Sequence, residues 1–384
     1  MRGYRLGWAG ARAGAEVGHV WQSLRMRDRD IAAWRLAAQW VTRPGADAAA
    51  VVGHLLAVQA ENPRQSEWAV AARTVTPRAD AVPELLASGE VIRTHVMRTT
   101  WHYALAEDVG WLLDLTGPRL RTGLAAGLVR QGFGAAFVAQ VSDVVCQSLA
   151  QTPHQTRQDL RELVAAAGLQ IGGMQIAQLL AVVELDQLIC SGVPRDGEHT
   201  YALFADRVPS PRRLERDEAL AEIVLRYVSG HGPATVRDLA YWGTLGLTDL
   251  RRGLAAAKGR LASFEHDGRT YWHAADSEPP ATAGLPRGHL LMALDELHNG
   301  FQDTRYALDE AGLVPHATRY PAVGMALVDA QFVAVHTRTV TPTAVRFDLI
   351  GWRELGADDL NVLTEAADRV GTYLGLPAQL RVVG

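Results

Sequence analysis

Two stretches of this chain open on the same pattern: "TRQDLRELVAAAGL" at 156–169 and "TVRDLAYWGTLGL" at 235–247. Both begin T-x-x-D-L. The Thr suits a helix N-cap, and an Asp at the third helical position complements the positive helix end. Each pattern then breaks at a glycine, Gly168 or Gly246, as helix C-termini often do. A second amphipathic segment follows each, at 172–189 and 247–258, and β-formers come after it. These are "EHTYALF" at 198–204, and "RLASFEHDGRTYWH" at 260–273 around the turn signal His266-Asp267-Gly268. Helix, turn, helix and hairpin in that order make a winged helix.

The N-terminal region fits the same plan more loosely. Segments 30–41, 46–59 and 79–89 read as helices, and "EVIRTHVMRTTWHYAL" at 90–105 reads as a hairpin. The expected class is therefore α+β, with three tandem winged-helix units at 26–125, 126–210 and 211–280. From 286 to 384 the texture changes to β-rich runs followed by "GADDLNVLTEAADRVGTYLG". This predicts a small sheet or β-barrel with a C-terminal helix, reached through a linker at 275–286. Residues 1–25, rich in Gly, Ala and Arg without period, are expected to be a poorly ordered extension, with Met26 as the true start.

With 48% hydrophobic and 21% charged residues the chain reads as soluble and globular, and no stretch approaches the roughly 20 apolar residues of a membrane span. No apolar secretory core follows the basic start, and no membrane partner is expected. Cys146 and Cys190 cannot build a disulfide framework or a four-ligand zinc site; both read as buried thiols in a reducing, cytoplasmic setting. No metal-ligand spacing, phosphate-binding glycine loop or dinucleotide fingerprint occurs, so neither metal nor cofactor is expected. The net charge of −4 means that any attraction for nucleic acid must be local. Lys258 is the single lysine. Arginine suits phosphate, although genome base composition gives the same bias.

A winged helix usually places its second helix in the DNA major groove. Three in one chain suggest a monomer with a C-shaped cleft around duplex DNA, needing no two-fold partner. The second unit's helix, "QIAQLLAVVELDQLI", carries no arginine, so packing is as good a reading for it as DNA contact. The third offers Arg251, Arg252 and Lys258, a phosphate-facing or simply solvated face.

The segment "VQAENP" at 58–63 ends an apolar run on an amide and a carboxylate two residues apart, before Pro63. A capped or solvated helix end is the plainer account of these residues. In a regular helix Gln59 and Glu61 point different ways; outside one they can converge.

Taken with "SEWAVAAR", "RTHVMRTTWHYAL", "LTGPR", "GPATVRDLAYW" and "LDELHNGFQDTR", this segment resembles the AlkZ-type, YcaQ-like DNA glycosylases over roughly residues 28–380. The resemblance implies three winged helices and a β-barrel around a DNA cleft. It implies hydrolysis of the N-glycosidic bond of cationic N7-alkylpurines, with crosslink unhooking in some members. It also implies a catalytic Gln-x-Gln or Gln-x-Asp on Gln59 and Glu61. Here the second position is one methylene longer than Asp, which leaves bulky crosslinks, simple alkyl adducts and lost catalysis all open. Only Lys258, at the end of the third unit's second helix and far along the chain from Gln59, and the N-terminal amine could form a Schiff base, so strand cleavage is not expected.

On the first hairpin, Arg98, Trp101 and His102 match a DNA-facing segment. Trp101 could stack on a base or anchor the hairpin, and His102 could meet phosphate or lie on the surface. Arg64 reads as a phosphate contact. Asp295, Glu296 and Arg305 read as a salt-bridged strand, with cleft support as the lesser reading. A non-catalytic winged-helix regulator and a protein-contact module are the rival functions. Duplex DNA carrying alkylated purines is the expected partner.

Overall fold

The computed structural model describes residues 26–315 and 323–383. The expected extension at 1–25 lies outside the described residues.

The first segment holds α1 (Asp28–Ala38), α2 (Ala48–Leu55), β1 (Val58–Gln59), α3 (Pro63–Ala71), α4 (Ala81–Ser88), β2 (Val91–His95) and β3 (Trp101–Leu105). Asp47 caps α2 by accepting from Ala50 N–H at 2.8 Å. Sequence periodicity carried this helix to Gln59; it stops at Leu55 instead. Leu56 takes φ +66° while its side chain is fully buried. Core packing thus holds a backbone conformation that β-carbon sterics disfavour. The chain then pairs with the hairpin in a three-stranded sheet of order β1-β3-β2.

Two long helices follow, α5 (Ala106–Arg130) and α6 (Ala135–Gln151). The first crosses the boundary expected at 125, so the first two segments share a continuous element. No single helix among the described residues is long and apolar enough to cross a membrane. Next come β4 (Gln155–Thr156), α7 (Arg157–Ala166), α8 (Gly173–Leu185), β5 (Ile189–Ser191), β6 (Thr200–Leu203) and the short α9 (Phe204–Arg207). The third segment comprises α10 (Arg216–His231), α11 (Val236–Gly243), α12 (Leu247–Ala257), β7 (Leu261–His266) and β8 (Arg269–Ala274). The repeated T-x-x-D is a capping box in both places. Thr156 and Asp159 satisfy each other's backbone N–H groups, as do Thr235 and Asp238. Asp267 and Gly268, both at positive φ, turn the last hairpin.

The C-terminal segment forms β9 (Gly288–Leu291), α13 (Glu296–Asn299), β10 (Gly324–Val328), β11 (Gln331–Val340), β12 (Val345–Gly351), α14 (Ala357–Leu374) and β13 (Ala378–Val382). Its strands make one five-stranded sheet of order β13-β12-β11-β10-β9, so of the two expected forms the sheet is realised. Strand β13, the alternating "AQLRV", pairs in parallel with β12. Helix α14 packs Leu363, Ala366, Ala367 and Val370 against Phe347 and Leu349 of the sheet, and Trp68 of α3 joins that cluster.

In the third segment α12 lies on α10 at a contact only glycine allows. A Cβ on Gly253 would sit 2.7 Å from the carbonyl carbon of Leu220 and against its oxygen. Gly253→Ala is expected to lower stability by about 1–3 kcal/mol, read as a fall in Tm, because neither helix can retreat without opening the core.

Candidate active site

Gln59 lies in an extended strand, opposite His102 of β3, with Val58 opposite Tyr103. Pairing continues one residue further, where Ala60 N–H donates to Trp101 O at 2.7 Å. Side chains two apart in extended chain share a face, which a helix would have denied Gln59 and Glu61. Gln59 is 5% exposed. Its Oε1 accepts the backbone N–H of Glu61 at 3.2 Å, so the amide fixes the turn that carries the carboxylate. Glu61 itself is exposed. Its Oε2 accepts the backbone N–H of Trp101 at 3.2 Å. Among the described residues no group donates to its Oε1. Pro63 opens α3 directly behind, at a first-turn position that needs no N–H donor.

A buried network holds this segment from below. The N–H of Gln59 donates to Glu296 Oε1 at 2.9 Å, while Glu296 Oε2 accepts Trp242 Nε1–H at 2.8 Å and lies 3.4 Å from His231 Nε2. Arg98 stands 3.9 Å from Glu296 Oε1 and 3.1 Å from His102 Nε2. Burial opposes charge on Glu296, but the His231 hydrogen bond and the Arg98 guanidinium outweigh it, and its carboxyl is held down to about 2. The carboxylate therefore ties the first hairpin, the third helix pair and the C-terminal segment to one strand.

Asp295 and Glu296 belong to a one-turn helix rather than the expected strand. Asp295 caps it by accepting Leu297 N–H at 2.9 Å and pairs with Arg73 at 2.7 Å, both side chains being 2% exposed. Arg305 donates to the carbonyls of His298 and Phe301 at 2.9 and 2.6 Å, bracing the same turn.

The remaining candidates fall into two groups. His102, expected at phosphate or on the surface, is fully buried. Its strand register turns it inward beside Arg98, and burial with that guanidinium pushes its imidazole down to about 3, so it is neutral. Trp101 is half-buried. The Arg93 guanidinium covers one ring face at 3.6 Å, and His199 lies at 4.6 Å, so the indole is clamped rather than presented for stacking. Arg98 is only partly buried and also donates to Trp242 O at 3.4 Å. Arg64 is exposed, its carbonyl accepting from Arg338 at 2.9 Å. Arg251, Arg252 and Lys258 are exposed on α12 and its C-terminal turn, with no hydrogen bond to the Gln59 segment, and Arg252 pairs with Asp217.

Sequence reasoning did not single out Arg93, His231 or the role of Trp242. Arg93 donates to Ala60 O at 3.0 Å and approaches Glu61 O at 3.5 Å. Its one signal is a charged residue directly after the apolar pair Val91 and Ile92 in a hairpin strand. Trp242 is buried in the core, and its N–H serves Glu296. Leu56, Met97 and Leu294, all at positive φ of 64–66°, stand beside Gln59, Arg98 and Asp295 respectively. Unfavourable backbone gathers at functional sites, where surrounding packing enforces it.

Among the described residues no cluster of His, Cys, Asp or Glu could hold a metal ion. The family model for DNA glycosylase AlkZ-like matches residues 52–373. A curated relative, the interstrand DNA cross-link repair glycosylase of Streptomyces sahachiroi, is 26% identical over 254 residues, covering 63% of this chain and 68% of the relative. The solved structure of Streptomyces sahachiroi DNA glycosylase AlkZ superposes with a TM-score of 0.73 at 18% identity, over 94% of this chain and all of that one. The fold is shared, and the model match spans the strand, the hairpin and the buried carboxylate that support Gln59 and Glu61: the chain belongs to the AlkZ-like DNA glycosylase family.

Proposed function

We propose that the chain is a monofunctional glycosylase hydrolysing the N-glycosidic bond of cationic N7-alkylpurines in duplex DNA, with Glu61 and Gln59 as the catalytic pair. The observation that carries this is the exposed Glu61 carboxylate, held by one backbone N–H with its other oxygen open, above a buried amide that fixes its turn. An N7-alkylated purine already bears positive charge and leaves without strong protonation. The protein must then stabilise an oxocarbenium-like sugar and deliver water to its far face. Glu61 Oε1 accepts the proton of that water, and its charge favours the developing cation. Gln59 Oε1 sets the position of the carboxylate through the Glu61 N–H, which leaves its amide N–H₂ to orient the water.

The helix pairs with their hairpins read as three winged helices lining a DNA cleft. Arg64 and Arg98 approach phosphate beside the catalytic strand, and Arg251, Arg252 and Lys258 approach it from α12. The relative's name extends the substrate range to interstrand crosslinks. Lys258, the single lysine, makes no hydrogen bond or ion pair to the Gln59 segment among the described residues, which supports hydrolysis without strand cleavage.

The test is base release from a duplex bearing one N7-methylguanine. Release is expected, with strand scission only after alkali. No release from this duplex or from a crosslinked one, with salt-dependent duplex binding intact, would leave a non-catalytic DNA-binding protein.

A further inference from the structure

Helix α8 carries a single charge, Glu184, which is 0% exposed. Desolvating a carboxylate costs several kcal/mol unless partners repay it, so its placement calls for a reason. Both partners lie on the β2–β3 hairpin rather than in the helix pair that carries it. His95 Nδ1 makes a short hydrogen bond to Glu184 Oε2, and Trp101 Nε1–H donates to the same oxygen at 3.3 Å. Among the described residues Glu184 Oε1 has no hydrogen-bond partner.

Trp101 is also the residue whose backbone N–H holds the Glu61 carboxylate and whose carbonyl accepts from Ala60. Its ring is fixed from three directions: Arg93 over the face, His199 beside it, and Glu184 at the indole edge. We propose that Glu184 is a positioning residue, anchoring the Trp101 indole so that the Trp101 main chain presents Glu61 to the sugar. This rests on the catalytic reading of Glu61 given above. On this account the second helix pair, which lacks arginine on α8, organises the chemistry of the first segment. The precision required justifies a buried carboxylate, because a misplacement of about 1 Å in a catalytic group can lower the rate on the order of 10²-fold.

The experiment compares wild type, Glu184→Gln, Trp101→Phe, Glu61→Ala and the double variant Glu184→Gln/Glu61→Ala in single-turnover base release from the N7-methylguanine duplex. Glu184→Gln keeps the shape and one carbonyl acceptor but removes the charge that holds both the His95 and the Trp101 donors on a single oxygen. Glu184→Gln and Trp101→Phe are each expected to slow release by about tenfold or more, with the duplex Kd changed less than about twofold. In the Glu61→Ala background Glu184→Gln is expected to cause no further loss. An equal loss in that background, or no loss in wild type, overturns the proposal. Spectra of ¹⁵N-indole-labelled protein read the anchor independently of release. The Trp101 N–H resonance, assigned by its absence in Trp101→Phe, is expected to shift and exchange faster in Glu184→Gln. An unmoved resonance overturns the anchor. A moved one with no release by wild type leaves the anchor standing and overturns the catalytic reading instead.

Discussion

Glu61→Gln is expected to lower the single-turnover rate of base release by about 10²–10⁴-fold while leaving duplex affinity nearly unchanged. The substitution is isosteric, and its carbonyl oxygen can still accept the Trp101 N–H now held at 3.2 Å, so the turn should persist. What disappears is the charge that favours an oxocarbenium-like sugar and the basic oxygen that takes a proton from water. Both matter only in the transition state, so the loss falls on the chemical step rather than on binding. Gln59→Ala acts differently. It removes the acceptor of the Glu61 N–H and opens a small buried gap, so it should reduce the rate and slightly lower Tm together. A Glu61→Gln rate within about threefold of wild type would show that another group activates the water. In that case the exposed Oε1 would need a different explanation.

The sequence carried the local grammar of this fold well. Thr156 with Asp159 and Thr235 with Asp238 announce helix starts through short-range hydrogen bonds, and both capping boxes form. The His266-Asp267-Gly268 turn likewise depends only on neighbours. What escaped depends on distant partners. Apolar periodicity through 46–59 suggested one helix, because nothing local reveals that Leu56 is forced to positive φ by the core or that β3 waits to pair with Gln59. Strand β13 looks like a tail until β12 is beside it. At the site, Gln59 and Glu61 were visible only through the family resemblance. His102 was misplaced for a definite reason. "RTTWHYAL" alternates, but which face of a hairpin turns inward is set by the element packed against it, and here that is Glu296 with Arg98. Glu184 follows the apolar run "LLAVV", and Glu296 sits beside Asp295 between two leucines. A sequence shows the charge and conceals the donors that make it affordable.

Glu296→Gln is expected to be the most destabilising conservative change near the site. Every neighbour of this carboxylate is a donor or a cation: Gln59 N–H, Trp242 Nε1–H, His231 and Arg98. An amide supplies one acceptor and one N–H₂ to that ring, so one buried donor must face another. Arg98 also loses its counter-charge. Breaking a buried charged pair on one side typically costs about 3–5 kcal/mol, which for a chain of this size is a Tm lower by roughly 4–6 °C. The pH dependence separates charge from shape. Folding holds the Glu296 carboxyl at about 2, below its ordinary 4.5. The carboxylate's contribution is therefore fully present above about pH 4.5 and drains away as pH falls towards 2, on the order of 3 kcal/mol across that window. Glu296→Gln has no such proton to take up. Calorimetric Tm values of wild type and variant should differ most at neutral pH and converge in acid, and base release near neutrality should fall because the Gln59 strand loses its anchor. A constant Tm difference from pH 7 to pH 3 would mean that packing, not charge, makes Glu296 necessary.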